Sequence, residues 1–251
     1  MPYVEETCRA GKIIEVCKYH CARWNCKGGQ RKKKETQTIE AQIKVNLRLA
    51  AKKLRRILAE NFVDGDILLT LDYRKDLRPG SSILMQEHMK EFLKELRKGF
   101  KSRGLILKYV YVKELGKKGG AHIHMVLNYC SRLPDIIRKA WTKGKFHIEL
   151  LNTDGDYSRL AEYFIKYADT TVETEGEQLG KTYYPSKGLK QPKVTKRIIK
   201  RVNTYYENIK EEKGYYLIKD SVLSGTTKDG YDYFSYYLHK ATDYEEDLEA
   251  G

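Results

Sequence analysis

The stretch LILKYVYVKELGKKGGAHIHMVLN, residues 105–128, decides the fold. Its first half is rich in Val, Ile and Tyr, its second alternates His122 and His124 with Ile123 and Met125, and Gly116-Lys117-Lys118-Gly119-Gly120 stands between. β-Branched and aromatic residues suit a pleated strand, and clustered glycines suit the tight turn of a hairpin. The expectation is therefore a strand over Leu105–Glu114 turning into a strand over Ala121–Asn128. Side chains two apart in a strand share a face, so both imidazoles project together while Ile123 and Met125 point the other way. A hairpin symmetric about Lys118 sets Glu114 directly across from His122, with Cβ atoms about 4.5–5.5 Å apart.

Outward from the hairpin, the pattern alternates between strands and helices. Upstream, Ile67–Tyr73 is a short apolar strand, Pro79-Gly80-Ser81-Ser82 is a turn, and Leu84–Phe100 has a helical apolar face of Met89, Phe92, Leu93, Leu96 and Phe100. Downstream come a short helix over Leu133–Trp141, a strand over Lys145–Leu150 and a helix over Tyr157–Ala168. Strand, helix, strand, strand, helix, strand, helix is the α+β, ferredoxin-like or RRM-like split βαβ order, with a central antiparallel sheet backed by helices.

The flanks are expected to be extensions of this core. Residues 1–62 carry a strand over 11–20, a cysteine group, and a basic amphipathic helix over Thr38–Phe62 whose apolar positions are Ile39, Ile43, Leu47, Ala50, Leu54, Ile57 and Leu58. Residues 63–170 form the core. Residues 171–251 form a polar linker over Thr171–Lys181, a basic helix over Thr195–Lys213, and a tyrosine-rich segment whose paired aromatics read as the two faces of strands, ending in the acidic tail Asp243–Glu249.

Forty-eight Lys and Arg against 34 Asp and Glu give a formal charge of +14, which points to a polyanionic partner. No apolar run approaches the roughly 18 residues of a membrane span. The N-terminus, with Glu5, Glu6 and Arg9, lacks a signal-peptide core. A cytoplasmic protein without a membrane partner is expected. Five cysteines are odd in number and few for a disulfide scaffold. Cys8, Cys17, Cys21 and Cys26 either hold a structural zinc or remain free thiols; no C-x-x-C pair is present.

Two imidazoles and a carboxylate converging from adjacent strands suit a divalent ion with mixed nitrogen and oxygen ligands, Mn or Mg, though the donors also accept Zn. On the last core helix, Tyr163, Lys166 and Tyr167 stand at i, i+3 and i+4 and share a face. A phenol beside a cation or metal-polarised phosphate is a nucleophile candidate. Contacts to the polyanion are expected from Arg31, Lys32, Lys33, Arg55, Arg56, Lys187, Lys190 and Lys193.

With these motifs, much of residues 38–194 resembles the HUH endonuclease superfamily, and within it the rolling-circle replication initiators (Rep proteins) of bacterial phages, plasmids and integrated elements. Leu69-Thr70-Leu71-Asp72-Tyr73 is similar to the family's first motif, Gly120-Ala121-His122-Ile123-His124 to the histidine strand, and Tyr163-Phe164-Ile165-Lys166 to the Y-x-x-K helix. The resemblance implies that His122, His124 and Glu114 are metal ligands, that Tyr163 is the nucleophile, and that Lys166 orients or stabilises charge at the scissile phosphate. Asp72 replaces the usual threonine and either joins the metal site or faces solvent; Tyr167 is a helper or packing residue. The implied activity is metal-assisted nicking of single-stranded DNA at an origin, with a 5′-phosphotyrosyl link and a free 3′-hydroxyl. The implied setting is a bacterial host cell, with single-stranded DNA or an origin hairpin as partner and a host helicase and polymerase nearby, since no G-x-x-x-x-G-K-[ST] motif is present. A single-tyrosine transposase, a mobilisation relaxase and a noncatalytic RRM-like nucleic-acid-binding module are the alternatives. No oligomeric state follows from the residues.

Overall fold

A computed structural model describes residues 1–22, 24, 40–176, 180–200, 208–227 and 229–241. The chain forms two compact units, Thr38–Gln191 in one and Met1–Gln37 with Pro192–Gly251 in the other. The expected boundaries differ from these. The helix assigned to the N-terminal extension belongs to the central unit, and the two extensions together form one unit, because their strands hydrogen-bond to each other.

In that terminal unit, β1 (Tyr3–Ala10) and β2 (Ile13–His20) form a hairpin. Only the second of these strands is expected from the sequence. The described strands and α-helices of the central unit are α1 (Glu40–Asn61), β3 (Ile67–Asp72), α2 (Ser82–Lys101), β4 (Tyr109–Leu115), β5 (Ala121–Leu127), α3 (Leu133–Ala140), β6 (Phe146–Leu150), α4 (Ser158–Glu175) and β7 (Tyr184–Pro185). The terminal unit then resumes with β8 (Lys193–Ile198), β9 (Tyr215–Thr226) and β10 (Asp232–Lys240).

The terminal sheet has the order β8-β1-β2-β10-β9, antiparallel throughout. Ile14, Val16, Phe234, Tyr236 and Leu238 form a buried cluster in this unit. Thr195–Ile198, expected to begin a basic helix, pairs with Val4–Thr7 as part of β8. Its Val, Thr and Ile accept the pleat, and pairing to β1 overrides the local helical reading. The remainder of that expected helix falls partly outside the described residues, as do Arg31, Lys32, Lys33, Cys26 and the acidic tail.

The central sheet has the order β6-β3-β5-β4-β7, every pair antiparallel. Its first four strands carry the split βαβ arrangement: β3 crosses through α2 to β4, and β5 returns between them. Odd-numbered residues Leu69, Leu71, Tyr109, Tyr111, Ile123 and Met125 join the buried core that also holds Met85, Met89, Phe92, Leu96 and Phe100 of α2 and Leu133, Ile136 and Ile137 of α3. α4 packs on β4 and on α1. Leu105 and Ile106 are exposed and outside the strand, which begins at Tyr109.

α4 runs seven residues past the expected end at Ala168, into the stretch that reads as a linker. Hydrogen bonds made by Thr171 and Glu175 to β4 and α2 extend it beyond its last buried apolar position, and Gly176 ends it in the left-handed conformation that glycine adopts without strain. Leu69 lies fully buried at the sheet centre. Leu69→Ala is expected to cost about 2–5 kcal/mol. Urea unfolding of the full chain checks this; a loss below about 1 kcal/mol contradicts the packing described.

Candidate active site

Strand register builds the site. Asp72 pairs with His122, and His122 with Glu114, so the three form one row across β3, β5 and β4. The next row on the same face is Thr70, His124 and Val112. The expected juxtaposition of Glu114 with His122 is present in the register, but the side chains pair differently. His122 Nδ1 lies 2.6 Å from Asp72 Oδ1, and Glu114 Oε2 reaches diagonally to His124 Nε2 at 2.9 Å.

The two imidazoles have unlike surroundings. His122 and Asp72 are each about two-fifths exposed (40% and 41%), whereas His124 and Glu114 retain 13% and 23% of their side-chain surface. Thr70 Oγ1 stands 3.3 Å from His124 Nδ1. A neutral His124 protonated on Nε2 donates to Glu114 and accepts from the Thr70 hydroxyl; a neutral His122 protonated on Nδ1 donates to Asp72 and keeps its Nε2 lone pair available.

Asp72 is held from the main chain. Trp141 Nε1 donates to its carbonyl oxygen at 3.1 Å, its own N–H donates to Lys145 O at 2.9 Å, and Arg74 N donates to Lys143 O at 2.9 Å. These bonds bring Gly144 against the strand so closely that a Cβ there would stand 1.9 Å from Asp72 O.

α4 supplies the tyrosines. Ala161, Phe164, Ile165 and Ala168 are its buried apolar positions, and Tyr163 and Lys166 are exposed. Tyr167, one turn beyond Tyr163, is half-buried and stacks on His124 with ring centroids 4.0 Å apart and an interplanar angle of 13°. The Tyr163 and Tyr167 rings are 6.1 Å apart. Burial, then the Glu114 carboxylate, pushes the Tyr167 phenol up from its ordinary value, with the Glu149 charge adding to the effect.

Glu149 and His147, whose Oε1 and Nε2 stand 3.2 Å apart on β6, occupy the same sheet face, since His147 pairs with Thr70 and Glu149 with Leu68. Sequence reading did not single them out. The signal was their alternation in a strand beside Leu69-Thr70-Leu71-Asp72, but only the β3–β6 pairing places them near the histidines.

Among the described residues, no group of three or more His, Cys, Asp or Glu side chains is gathered as a metal cage. The four expected ligands stand instead as two imidazole–carboxylate pairs. Their chemistry still suits a divalent cation: two imidazole nitrogens and carboxylate oxygens match Mn or Mg. His122 with Asp72 behind Nδ1 has the arrangement in which a ligating histidine is oriented by a carboxylate, leaving Nε2 to bind. The 2.9 Å between His124 Nε2 and Glu114 Oε2 is also near the roughly 3 Å separating cis ligands on one octahedral ion.

The other expected residues are dispersed. Lys187 and Lys190 are exposed after β7, with the Lys190 backbone held by Asn61. Lys193 is exposed on β8 of the terminal unit, and Arg55 and Arg56 are half-buried on α1. Cys8 and Cys17 share a face of the β1–β2 hairpin, where Cys17 Sγ donates to Glu15 Oε1 at 3.3 Å. Cys21 follows that hairpin, and Cys26 is outside the described residues.

Residues 66–172, from the start of β3 through most of α4, match the family model of the replication-associated protein ORF2/G2P. No curated protein and no solved structure matches the chain. The match supports a replication-initiator role, one compatible with an endonuclease and with DNA as partner. No helix among the described residues is long and apolar enough to cross a membrane.

Gly144→Ala tests how Asp72 is held. The added methyl meets backbone, not a flexible side chain, so a loss of about 1–3 kcal/mol is expected. A thermal midpoint equal to wild type contradicts the close approach.

Proposed function

We propose that the central unit is an HUH-type endonuclease that nicks single-stranded DNA at a replication origin and can rejoin the ends. The observation that carries this reading is the sheet face on which Asp72, His122, Glu114 and His124 lie together, with Tyr167 of α4 stacked on His124 and Tyr163 one turn away, within the stretch that matches a replication-associated family. His122, His124 and Glu114 would hold a divalent cation, Mn or Mg, with Asp72 orienting His122. When bound, the cation would supply Lewis-acid stabilisation of charge on nonbridging phosphate oxygens.

The chain's own residues do the rest. Tyr163 presents an accessible phenol at the outer end of the site, and its Oη attacks the phosphorus in line. The bond from phosphorus to the 3′-oxygen breaks, the phenolic proton leaves to solvent or a neighbouring base, and the 3′-oxygen takes up a proton to become the free hydroxyl. Lys166, exposed between the two tyrosines, offsets negative charge at the scissile phosphate. Tyr167 stacks on His124 and fixes its plane. The reverse attack by a 3′-hydroxyl on the phosphotyrosyl ester restores the phosphodiester and closes a strand.

The partner is single-stranded DNA or an extruded origin hairpin, unwound by a host helicase and extended by a host polymerase. Lys187 and Lys190 and the basic residues of α1, including Arg55 and Arg56, are the expected backbone contacts in this unit. In the terminal unit they are Lys193 and, outside the described residues, Arg31, Lys32 and Lys33. A bacterial cytoplasm is the expected setting. The cysteine group remains a candidate zinc site, tested by metal analysis of the full chain, where one zinc per molecule supports it and none removes it.

Incubation with Mn or Mg and labelled single-stranded origin DNA is expected to give a protein–DNA adduct that survives denaturation. The adduct should disappear in Tyr163→Phe and fall at least about 100-fold in His122→Ala. An adduct kept in Tyr163→Phe and lost in Tyr167→Phe would move the nucleophile one turn along α4. Salt-sensitive binding with no adduct on any origin strand would favour the noncatalytic module.

Binding itself is expected to weaken with salt with a log–log slope steeper than about −2, the value for three phosphate contacts on a single strand. Fluorescence anisotropy between low and physiological salt checks this; a flat profile contradicts a backbone-tracking surface.

A further inference from the structure

Tyr163, Tyr167, Thr171 and Glu175 recur every four residues and so form one ridge along α4. Along that ridge burial increases from Tyr163 to Thr171, and Glu175 beyond is held by hydrogen bonds. Tyr163 is 55% exposed, Tyr167 lies on His124, Thr171 is 6% exposed, and Glu175 is bonded to another helix.

Thr171 stands where β4 has lost its strand partner. Among the described residues β7 covers β4 only at Val110 and Tyr111, and no described strand pairs with the backbone groups beyond on that side. The Thr171 hydroxyl takes the place of such a strand. It accepts from Leu115 N at 2.9 Å and donates to Lys113 O at 2.8 Å, and these two backbone groups flank Glu114. A hydroxyl with one proton and two lone pairs satisfies both at once, which valine of the same shape would not.

Glu175 fixes the far end. Its carboxylate accepts from Ser82 N at 2.6 Å and Ser82 Oγ at 2.7 Å at the start of α2, where backbone N–H groups lack helical partners and a negative charge is favoured. Ser82 O in turn accepts from the buried ammonium of Lys113 at 2.7 Å, which closes the connection back to β4.

We infer that Thr171 and Glu175 are positioning residues: they anchor the ridge of α4 to the backbone around Glu114, so that Tyr167 seats on His124 and Tyr163 projects beside the histidines. The inference rests on the reading of α4 as the helix that carries the nucleophile. The apolar face of α4 packs along the tyrosine half as well, so these two polar anchors set the rotation of the helix about that face, and a small rotation displaces the Tyr163 phenol.

The test compares Thr171→Val with Thr171→Ser in the full chain by two readouts. The first is the NMR shift of the His124 ring protons, which stacking on Tyr167 moves upfield. The second is the single-turnover rate of adduct formation at saturating labelled single-stranded DNA with Mn or Mg, measured beside the DNA dissociation constant. Thr171→Val is expected to move the His124 signals toward those of a free imidazole and to slow the reaction on the order of 10- to 100-fold, the scale of a misplacement near 1 Å, with the dissociation constant within about twofold. Thr171→Ser restores both. An unchanged His124 shift and rate in Thr171→Val would overturn the inference, as would a loss in which binding and rate fall together and serine restores neither. If Thr171→Val does not fold, Glu175→Gln carries the same comparison, and wild-type shift and rate there overturn it. A wild-type chain that forms no adduct defeats the nicking reading, and the His124 shift then decides the anchor alone.

Discussion

β5 is hydrogen-bonded on both sides, to β3 and to β4, and each pairing is antiparallel along its whole described length. That double register is the constraint on which the rest depends. Because side chains alternate, it sends Leu71, Ile123 and Met125 into the core under α2 and α3 and brings Asp72, His122, Glu114, Thr70 and His124 to the opposite face. A slip of one residue on either side would bury a carboxylate or an imidazole in an apolar core, at a cost of several kcal/mol for an unpaired charge. Packing of the core therefore enforces the composition of the polar face.

The polar face is then finished by α4. Its apolar positions pack while its next ridge lays Tyr167 flat on His124, which leaves that imidazole between an aromatic ring, the Glu114 carboxylate and the Thr70 hydroxyl. His122, one row away, is hydrogen-bonded to the Asp72 carboxylate and keeps more of its surface. The two histidines of one H-x-H segment are thus set to different tasks by their neighbours: His124 is fixed in orientation from three sides, and His122 retains an accessible nitrogen. Removing Glu114 would leave His124 Nε2 without its hydrogen-bond partner in a low-exposure site, whereas removing Asp72 would loosen the orientation of a more solvated ring.

Much of this was legible in the sequence. Alternation in Ala121–Leu127 and the glycines at 116, 119 and 120 give the hairpin, and symmetry about Lys118 gives the Glu114–His122 register that the structure carries. Helical spacing gives the shared face of Tyr163 and Tyr167. What was not legible depends on long-range pairing. The diagonal reach of Glu114 to His124 is a rotamer choice, made where Asp72 already occupies His122 Nδ1. His147 and Glu149 join the face only because β6 pairs with β3. The last turns of α4 read as a linker because Thr171 and Glu175 owe their helical conformation to partners on β4 and α2, and β8 reads as a helix because its partner β1 lies nearly two hundred residues away in the chain.

The claim most open to direct test is that this sheet face and α4 make one reaction site with Tyr163 as its nucleophile. Peptide mass mapping of the denatured adduct formed on single-stranded origin DNA locates the attachment. The account predicts a nucleotide linked through phosphate to Tyr163, with its 5′ end bound and the released strand ending in a 3′-hydroxyl. Attachment at any residue other than Tyr163, or cleavage that leaves no phosphotyrosyl peptide, would contradict it.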